Sequence, residues 1–245
     1  MSESSSSQQQ ATRPQSMKEF LTQNKLQTCM WISRIVTVWS CIFYILPITG
    51  IQLVHYRRAI MCGAITSSIR TYQRSPPFQM SREYLNQLVR EDSFHYLLFC
   101  FLFMAHMPIT PVLFPVGIFA LLHACTFTTT LLNLTSPGSF QMLRGLTSYV
   151  HQKQQMLMMF AASTEVILMP MVIFQLFSGG GSILLPFVYY RFLCMRYTSQ
   201  RNPYSRQVFY QYRLAIEYLT SRPSCPAFLR TFGYRFINFV NKLCP

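Results

Sequence analysis

The sequence predicts an all-α integral membrane protein, in which several transmembrane or hairpin helices are combined with amphipathic surface helices and a basic cytosolic C-terminal region. Only 11% of the 245 residues are Asp, Glu, Lys or Arg, against about 25% in soluble domains. Three stretches contain none of these residues: Ile35–Val54 (20 residues), Phe94–Leu134 (41 residues) and Val166–Tyr190 (25 residues). A helix needs roughly 20 apolar residues to cross a bilayer core, so the middle stretch is long enough for two crossings.

The chain divides by composition into three parts. Residues 1–16 are polar and rich in Ser and Gln, which predicts a disordered tail rather than a secretory signal. Residues 17–193 contain all the long apolar stretches and are predicted to form a multi-pass helical membrane domain. Residues 194–245 are predicted to form a basic cytosolic region with amphipathic helices.

The first embedded stretch has an ambiguous path. Lys18–Arg34 is predicted to be a polar helical approach, and Ile35–Val54 is the stretch itself. Tyr56–Arg74 has apolar residues at helical spacing and basic residues at both ends, which is typical of a short amphipathic helix or of a second, poorer span. Residues 35–74 therefore form either a bent re-entrant hairpin or a span that crosses back through 56–74.

The middle of the chain predicts a helical hairpin. Ser81 is a candidate N-cap for a polar helix over 81–92. Two prolines in Met107–Pro111 predict a turn between two apolar arms, Phe94–His106 and Val112–Leu134.

The last apolar stretch predicts a second hairpin. A polar helix over 144–155 leads into a span over Met156–Phe177. Gly179–Gly181 then predicts a turn, and Ser182–Leu193 returns toward the basic residues that follow.

Charge is distributed unevenly between the two sides of these hairpins. The turns at 107–111 and 179–181 carry no charge, and nine of the 21 basic residues lie between Arg191 and Lys242. Basic excess marks the cytosolic side, so the hairpins are predicted to dip from the cytosol and the C-terminus to lie there. Asn133, in an Asn-x-Thr pattern, is then cytosolic and is predicted to carry no glycan.

The formal charge of +14 limits the expected partners. Anionic lipid headgroups are the predicted partner, because the basic residues alternate with apolar ones at the edge of a membrane. Nucleic acid is not expected as a partner. Tethering of chromatin or RNA by residues 197–245 is kept as a further functional hypothesis, after the membrane-organising and transport hypotheses given below.

Glu165 is the one acid within an apolar stretch. An ionisable residue there costs about 2.5–3.5 kcal/mol on insertion scales, so it needs either a function or a partner. One interpretation is a proton or cation relay in a small ion channel or transporter. The other is a structural hydrogen bond to His, Ser or Tyr on a neighbouring helix.

The residue inventory does not favour catalysis. His95, His106 and His123 show no recognisable metal-ligand spacing, and Asp92 is the only aspartate in the chain. Nucleophile-elbow, metalloprotease, P-loop and dinucleotide-binding motifs are absent. We therefore predict no enzyme activity, no catalytic residues, no bound metal and no cofactor.

The C-terminal segment predicts a basic, Phe-rich amphipathic helix from Pro226 onward. Such a helix lies in the headgroup plane or packs on its own protein. The residues predicted to contact the membrane surface are Leu229, Arg230, Phe232, Phe236, Phe239, Val240, Lys242 and Leu243. A weaker amphipathic helix is predicted before it, over Ser205–Ser221.

Six motifs distributed over the chain carry a family resemblance: Met30–Arg34, Glu91–Tyr96, Leu168–Pro170, Pro186–Leu193, Arg196-Tyr197 and Arg201–Tyr204. Together they resemble the transmembrane protein 33 family, also called Krueppel homolog 2, whose fungal members are pore-associated membrane proteins. The residues assigned through this resemblance to family-specific packing or partner docking are Pro186, Tyr189, Tyr190, Arg191, Arg196, Arg201, Asn202, Pro203 and Tyr204.

The resemblance implies location and role rather than chemistry. It implies an integral protein of the endoplasmic reticulum and nuclear envelope that helps reticulon-type proteins to organise tubular membrane, and in fungi influences nuclear pore distribution. It supplies no catalytic residues. The residues agree independently, because hairpins and surface helices that occupy more area in the cytosolic leaflet favour membrane curvature.

Overall fold

The computed structural model describes residues 17–46, 48, 50–77, 79, 81–134, 138–179, 182–223 and 225–243, among which there are eleven α-helices and no strand. This confirms the predicted all-α class. The helices are α1 (Met17–Gln23), α2 (Lys25–Ile45), α3 (Gln52–Arg74), α4 (Arg82–Val89), α5 (Asp92–Met104), α6 (Leu113–Asn133), α7 (Gln141–Gln152), α8 (Gln154–Phe177), α9 (Leu184–Thr198), α10 (Tyr204–Ser221) and α11 (Ala227–Leu243). The predicted tail over residues 1–16 lies outside the described residues, as do Pro137, Gly180 and Gly181 in the predicted loops.

Three helices are long and apolar enough to cross a membrane, among the residues described: Lys25–Ile45, Thr110–Asn133 and Gln154–Phe177. The second of these is α6 together with the 3-10 turn that precedes it, Thr110–Val112. A fourth helix, Asp92–Met104, is apolar but shorter. These spans agree with the predicted membrane-protein class.

The long helices run alternately away from one end of the bundle and back to it, in the successive pairs α2–α3, α5–α6 and α8–α9. Helix α2 packs on α3 and α8 on α9, and the Tyr96 ring on α5 lies 4.5 Å from the Phe119 ring on α6. The Ser33 hydroxyl on α2 donates to the Cys62 carbonyl on α3, at 3.3 Å. The Tyr189 hydroxyl on α9 donates to the Glu165 carbonyl on α8, at 2.7 Å. The three connections at the far end, residues 46–51, 105–109 and 178–183, contain no Asp, Glu, Lys or Arg. We call this the uncharged end, and the opposite one, where α4 and α7 lie, the charged end.

Helix α3 occupies the middle of the bundle, where it contacts α2, α5 and α6. Tyr56, Ala59 and Ile60 on this helix are fully buried. At Gly63 an added Cβ would lie 3.0 Å from Val116 on α6, so the absent side chain allows the two helices to approach closely. The surface-helix alternative for residues 56–74 is therefore wrong, and the segment returns beside α2.

The core between α3, α5 and α9 is aromatic. Phe99 and Phe103 on α5 are completely buried, with their ring centroids 4.8 Å apart. Phe192 on α9 packs at 5.1 Å from Phe99. Large rigid rings of this kind fill the space between helices and fix their relative positions.

The helix boundaries can be compared with the predicted segments. Helix α2 begins at Lys25, within the predicted helical approach over Lys18–Arg34, and carries Arg34 buried on its inner side. The predicted N-cap at Ser81 is confirmed, since its hydroxyl accepts from the Tyr84 amide at 3.1 Å. Helix α9 continues to Thr198, five residues beyond the predicted end of that arm.

Candidate functional site

A buried ion-pair network joins α5, α8 and α9. Only 1% of the Arg196 surface on α9 is exposed, and its Nε donates to Glu165 Oε2 on α8, at 3.1 Å. Its Nη1 donates to Asp92 Oδ1 at the start of α5, at 3.3 Å. The Tyr96 hydroxyl on α5 donates to the other Glu165 oxygen. One guanidinium group on α9 therefore connects α8 with the start of α5, which is distant from both in sequence.

The partners of Arg196 are themselves held in place. The Tyr96 ring lies 5.0 Å from the guanidinium carbon, a cation–π contact. The Ser199 hydroxyl donates to Asp92 Oδ1 at 2.7 Å, and His95 Nδ1 lies 3.7 Å from the same oxygen. A buried ion pair is tolerated when further hydrogen bonds satisfy the remaining polar atoms, and this network supplies them.

A second ion pair lies at the charged end, outside this network. Arg201, in the link between α9 and α10, donates through Nη1 to both oxygens of Glu91, at 2.6 and 2.8 Å. Arg74, at the end of α3, lies 3.8 Å from the same carboxylate. These contacts hold the link against the junction of α4 and α5.

The Glu165 carboxylate has two partners, Tyr96 and Arg196, and the sequence predicted only the first kind. A tyrosine was among the expected hydrogen-bond partners, and the structure provides Tyr96. The arginine was missed because Arg196 was assigned to the cytosolic region. Its position seven residues after Tyr189 and four after Phe192, both fully buried, places it on their helix face and could have revealed it.

The family-motif residues divide by exposure along α9 and the link that follows it. Tyr189, Arg196 and Asn202 are buried, and the Asn202 Oδ1 accepts from the Tyr204 amide at 3.1 Å. The half-buried members are Pro186, Tyr190 and Tyr204. The exposed members are Arg191, Arg201 and Pro203. The buried members pack the bundle, and of the exposed ones Arg201 is paired with Glu91.

Helix α11 packs on α10 along one edge and leaves its Phe residues exposed. Gly233 and Ile237 are buried, and a Cβ at Gly233 would lie 2.5 Å from the Thr220 methyl on α10. Most of the predicted membrane-contact set is exposed, including Leu229, Arg230, Phe232, Phe236, Phe239 and Lys242, while Val240 is half-buried. The side chain of Leu243 lies outside the described part of the chain.

The three histidines considered above lie apart. His95 contacts the Val89 carbonyl at 2.6 Å, His106 the Leu102 carbonyl at 2.7 Å, and His123 the guanidinium of Arg70. Among the described residues, no group of three or more His, Cys, Asp or Glu side chains is placed to hold a metal ion.

Comparison with known proteins gives a family match over nearly the whole chain. The family model described as transmembrane protein 33/nucleoporin POM33 matches residues 8–245. Transmembrane protein 33 of Rattus norvegicus is 43% identical over 229 residues, 93% of each chain. The Caenorhabditis elegans homolog of that protein is 35% identical over 233 residues, 94% of this chain and 86% of the relative. Krueppel homolog 2 of Drosophila melanogaster is 34% identical over 239 residues, 98% of this chain and 86% of the relative. No solved structure matches.

Proposed function

Since the chain belongs to the transmembrane protein 33/POM33 family, we propose that it is a non-enzymatic protein of the endoplasmic reticulum and nuclear envelope that organises tubular membrane. It acts together with reticulon-type membrane proteins, and it influences the distribution of nuclear pores, a role for which the POM33 name in the family description gives support. Its C-terminus faces the cytosol, where its basic residues meet anionic headgroups.

The observation that carries this proposal is the exposed aromatic face of α11. Phe232 is 67% exposed, Phe239 59% and Phe236 46%, although α11 also contacts α10. Each buried Phe contributes about 1.5–3 kcal/mol, and each basic residue beside anionic lipid about 1 kcal/mol. Insertion of these rings between headgroups is therefore favourable, and it takes up area in the cytosolic leaflet alone.

The bundle adds to this asymmetry. Its uncharged end contains only short connections, whereas the charged end also carries the polar helices α4 and α7. Helices that lie in the cytosolic half of the bilayer, without an equal volume in the lumenal half, bend the membrane toward the cytosol. High curvature of that sign is what distinguishes a tubule from a flat sheet.

A flotation assay tests the membrane contact of α11. Residues 223–245 are fused to a soluble fluorescent protein and mixed with vesicles that contain anionic lipid, at whose surface each basic residue contributes about 1 kcal/mol. Phe232→Glu with Phe236→Glu removes two inserting rings, and we expect the fusion to leave the vesicle fraction. The matched control is Asn238→Glu with Asn241→Glu, which adds the same charge to the opposite face of the helix. Equal loss of binding in both double variants would refute insertion of the aromatic face.

A rescue experiment tests the role in the cell. We expect depletion of the protein to disturb reticulum tubules or pore distribution, and the intact chain to restore them. The Phe232→Glu/Phe236→Glu variant is expected to fail, while the Asn238→Glu/Asn241→Glu variant restores the network. Normal morphology after depletion would contradict the proposed function.

The same rescue separates this proposal from the alternative, a small ion channel or transporter that uses Glu165. A relay residue must exchange protons or ions, but Glu165 is 1% exposed and bound by Arg196 and Tyr96, which supports a structural role. A Glu165→Gln variant should restore morphology and leave ion flux unchanged. Normal folding with altered flux would favour transport.

A further inference from the structure

A cavity of about 280 Å³ opens within the charged end of the bundle, between α2, α3, α5, α6 and α9. Its volume is close to the lower limit of about 300 Å³ that is usual for small-molecule sites. The charged and imidazole side chains on its wall are Arg34, Arg70, Arg74, Arg196, Arg201, His123 and one carboxylate, Asp92. Asp92 is itself paired with Arg196, at 3.3 Å, so the wall carries an excess of positive charge.

Two of these arginines have no carboxylate partner. Arg196, Arg201 and Arg74 lie within 4.0 Å of the carboxylates described above. For Arg34 and Arg70, no Asp or Glu among the described residues lies within that distance. Of the five arginines on the cavity wall, two therefore have no ion-pair partner at this distance among the described residues.

Of the two, Arg34 has the greater need of a counter-charge, because only 7% of its surface is exposed. A buried charge without a counter-charge is strongly unfavourable. Arg70 contacts the Nε2 of His123, but a neutral imidazole supplies no negative charge. An anion in the cavity would relieve both guanidinium groups at once.

We propose that this cavity binds a phosphate group, as the phosphomonoester of a lipid headgroup or as free phosphate. A phosphomonoester carries about −1.5 to −2 charges at neutral pH, which matches two unpaired arginines. Guanidinium groups bind phosphate oxygens through paired N–H donors, and they do so better than lysine. Ser67 and Asn202 also line the cavity and offer further donors.

Exposure along the cavity indicates the direction of entry. The side chains of Arg201 and Arg74 are 57% and 42% exposed, so they mark the mouth, whereas Arg34 marks the floor. The mouth lies at the charged end of the bundle, where headgroups would be found. This site is inside the bundle and does not depend on α11, so it can be tested separately from the proposed function.

The experiment measures thermal stabilisation of the purified full-length protein in a neutral detergent. The probes are dioctanoyl phosphatidic acid, dioctanoyl phosphatidylcholine as the zwitterionic control lipid, and inorganic phosphate with chloride as its control. The variants are Arg34→Gln and Arg70→Gln. The matched control is Arg58→Gln, which removes an exposed arginine that lies on α3 outside the cavity wall.

We expect phosphatidic acid, but not phosphatidylcholine, to raise the melting temperature of the intact protein and of Arg58→Gln. Loss of one charged hydrogen-bond donor should weaken binding about tenfold in each cavity variant. If inorganic phosphate stabilises as well as the lipid does, the site takes free phosphate; if only the lipid stabilises, it takes the headgroup.

Two results would overturn the proposal: no stabilisation by either phosphate source, or equal stabilisation of the intact protein, Arg58→Gln and Arg70→Gln. If Arg34→Gln fails to fold, Arg70→Gln still decides the outcome. Arg70 lies nearer the mouth of the cavity, and its helix is packed into the core by other residues, Gly63 and Ala64, so this variant should fold.

Discussion

Replacement of Arg196 by Met should be among the most destabilising single changes in this chain. The side chain is 1% exposed and is the only cation within 4.0 Å of Glu165 in the described part of the structure. Its removal leaves a carboxylate that is itself 1% exposed, with one hydrogen bond, from Tyr96, and no counter-charge. Removal of one partner from a buried pair costs about 3–5 kcal/mol, and we expect a loss in that range.

The reverse change should cost less. In Glu165→Gln the amide oxygen still accepts from Arg196, and Asp92 remains 3.3 Å from its guanidinium. The hydrogen bonds to residue 165 then lose their charged acceptor, and since a hydrogen bond to a charged group contributes about 1.5–3 kcal/mol in all, the loss should not exceed that range. The double variant Arg196→Met/Glu165→Met leaves neither charge buried at the contact, so it should be more stable than Arg196→Met alone.

The measurement is equilibrium unfolding of the full-length protein in mixed micelles, with helix content followed by circular dichroism as the denaturing detergent increases. Arg191→Met is the matched control, because Arg191 lies on the same helix but is exposed, and it should change the free energy of unfolding by less than about 0.5 kcal/mol. The reasoning fails if Arg196→Met unfolds together with Arg191→Met. It also fails if the effects of the two single Met variants add without coupling.

Two further predictions concern α11 and topology. Gly233→Leu should separate α11 from α10, because even a Cβ there would lie 2.5 Å from Thr220. We expect faster proteolysis of this variant at the 222–226 link. The control is Gly145→Leu, because a side chain added at Gly145 meets open space. Asn133 should carry no glycan in cells, so glycosidase treatment should leave the electrophoretic mobility unchanged, and a downward shift would place the α6–α7 loop in the lumen.

Local patterns were sufficient to predict most helices. Uninterrupted apolar stretches gave both arms of the hairpin over α5 and α6 and the span over α8, and Ser81 was recognised as an N-cap. Each of these predictions depends on residues close together in sequence, where helical spacing, capping and proline act directly. The exposed aromatic face of α11 could be predicted for the same reason.

Long-range pairing was not predictable in this way. Arg34 and Arg196 were both interpreted as markers of a span end, because a charge in an apolar segment is costly when considered alone. The structure places both inside the bundle, and the carboxylates that offset Arg196 lie 31 and 104 residues away in the sequence. Charge counts along a sequence cannot show which ions meet across helices.

Snorkelling is the simplest account of an arginine in a membrane helix, since the aliphatic stem lies along apolar surface while the charged head reaches water. It suits Arg74, whose side chain is 42% exposed at the end of α3. It does not suit Arg34, which is 7% exposed and lies nine residues, or roughly 14 Å at the helical rise, beyond the start of α2. Pairing does not account for it either, because Asp92, the carboxylate on the cavity wall, is held by Arg196. What distinguishes Arg34 is that it faces a cavity, and an anion that enters from the headgroup side would account for both its burial and its charge.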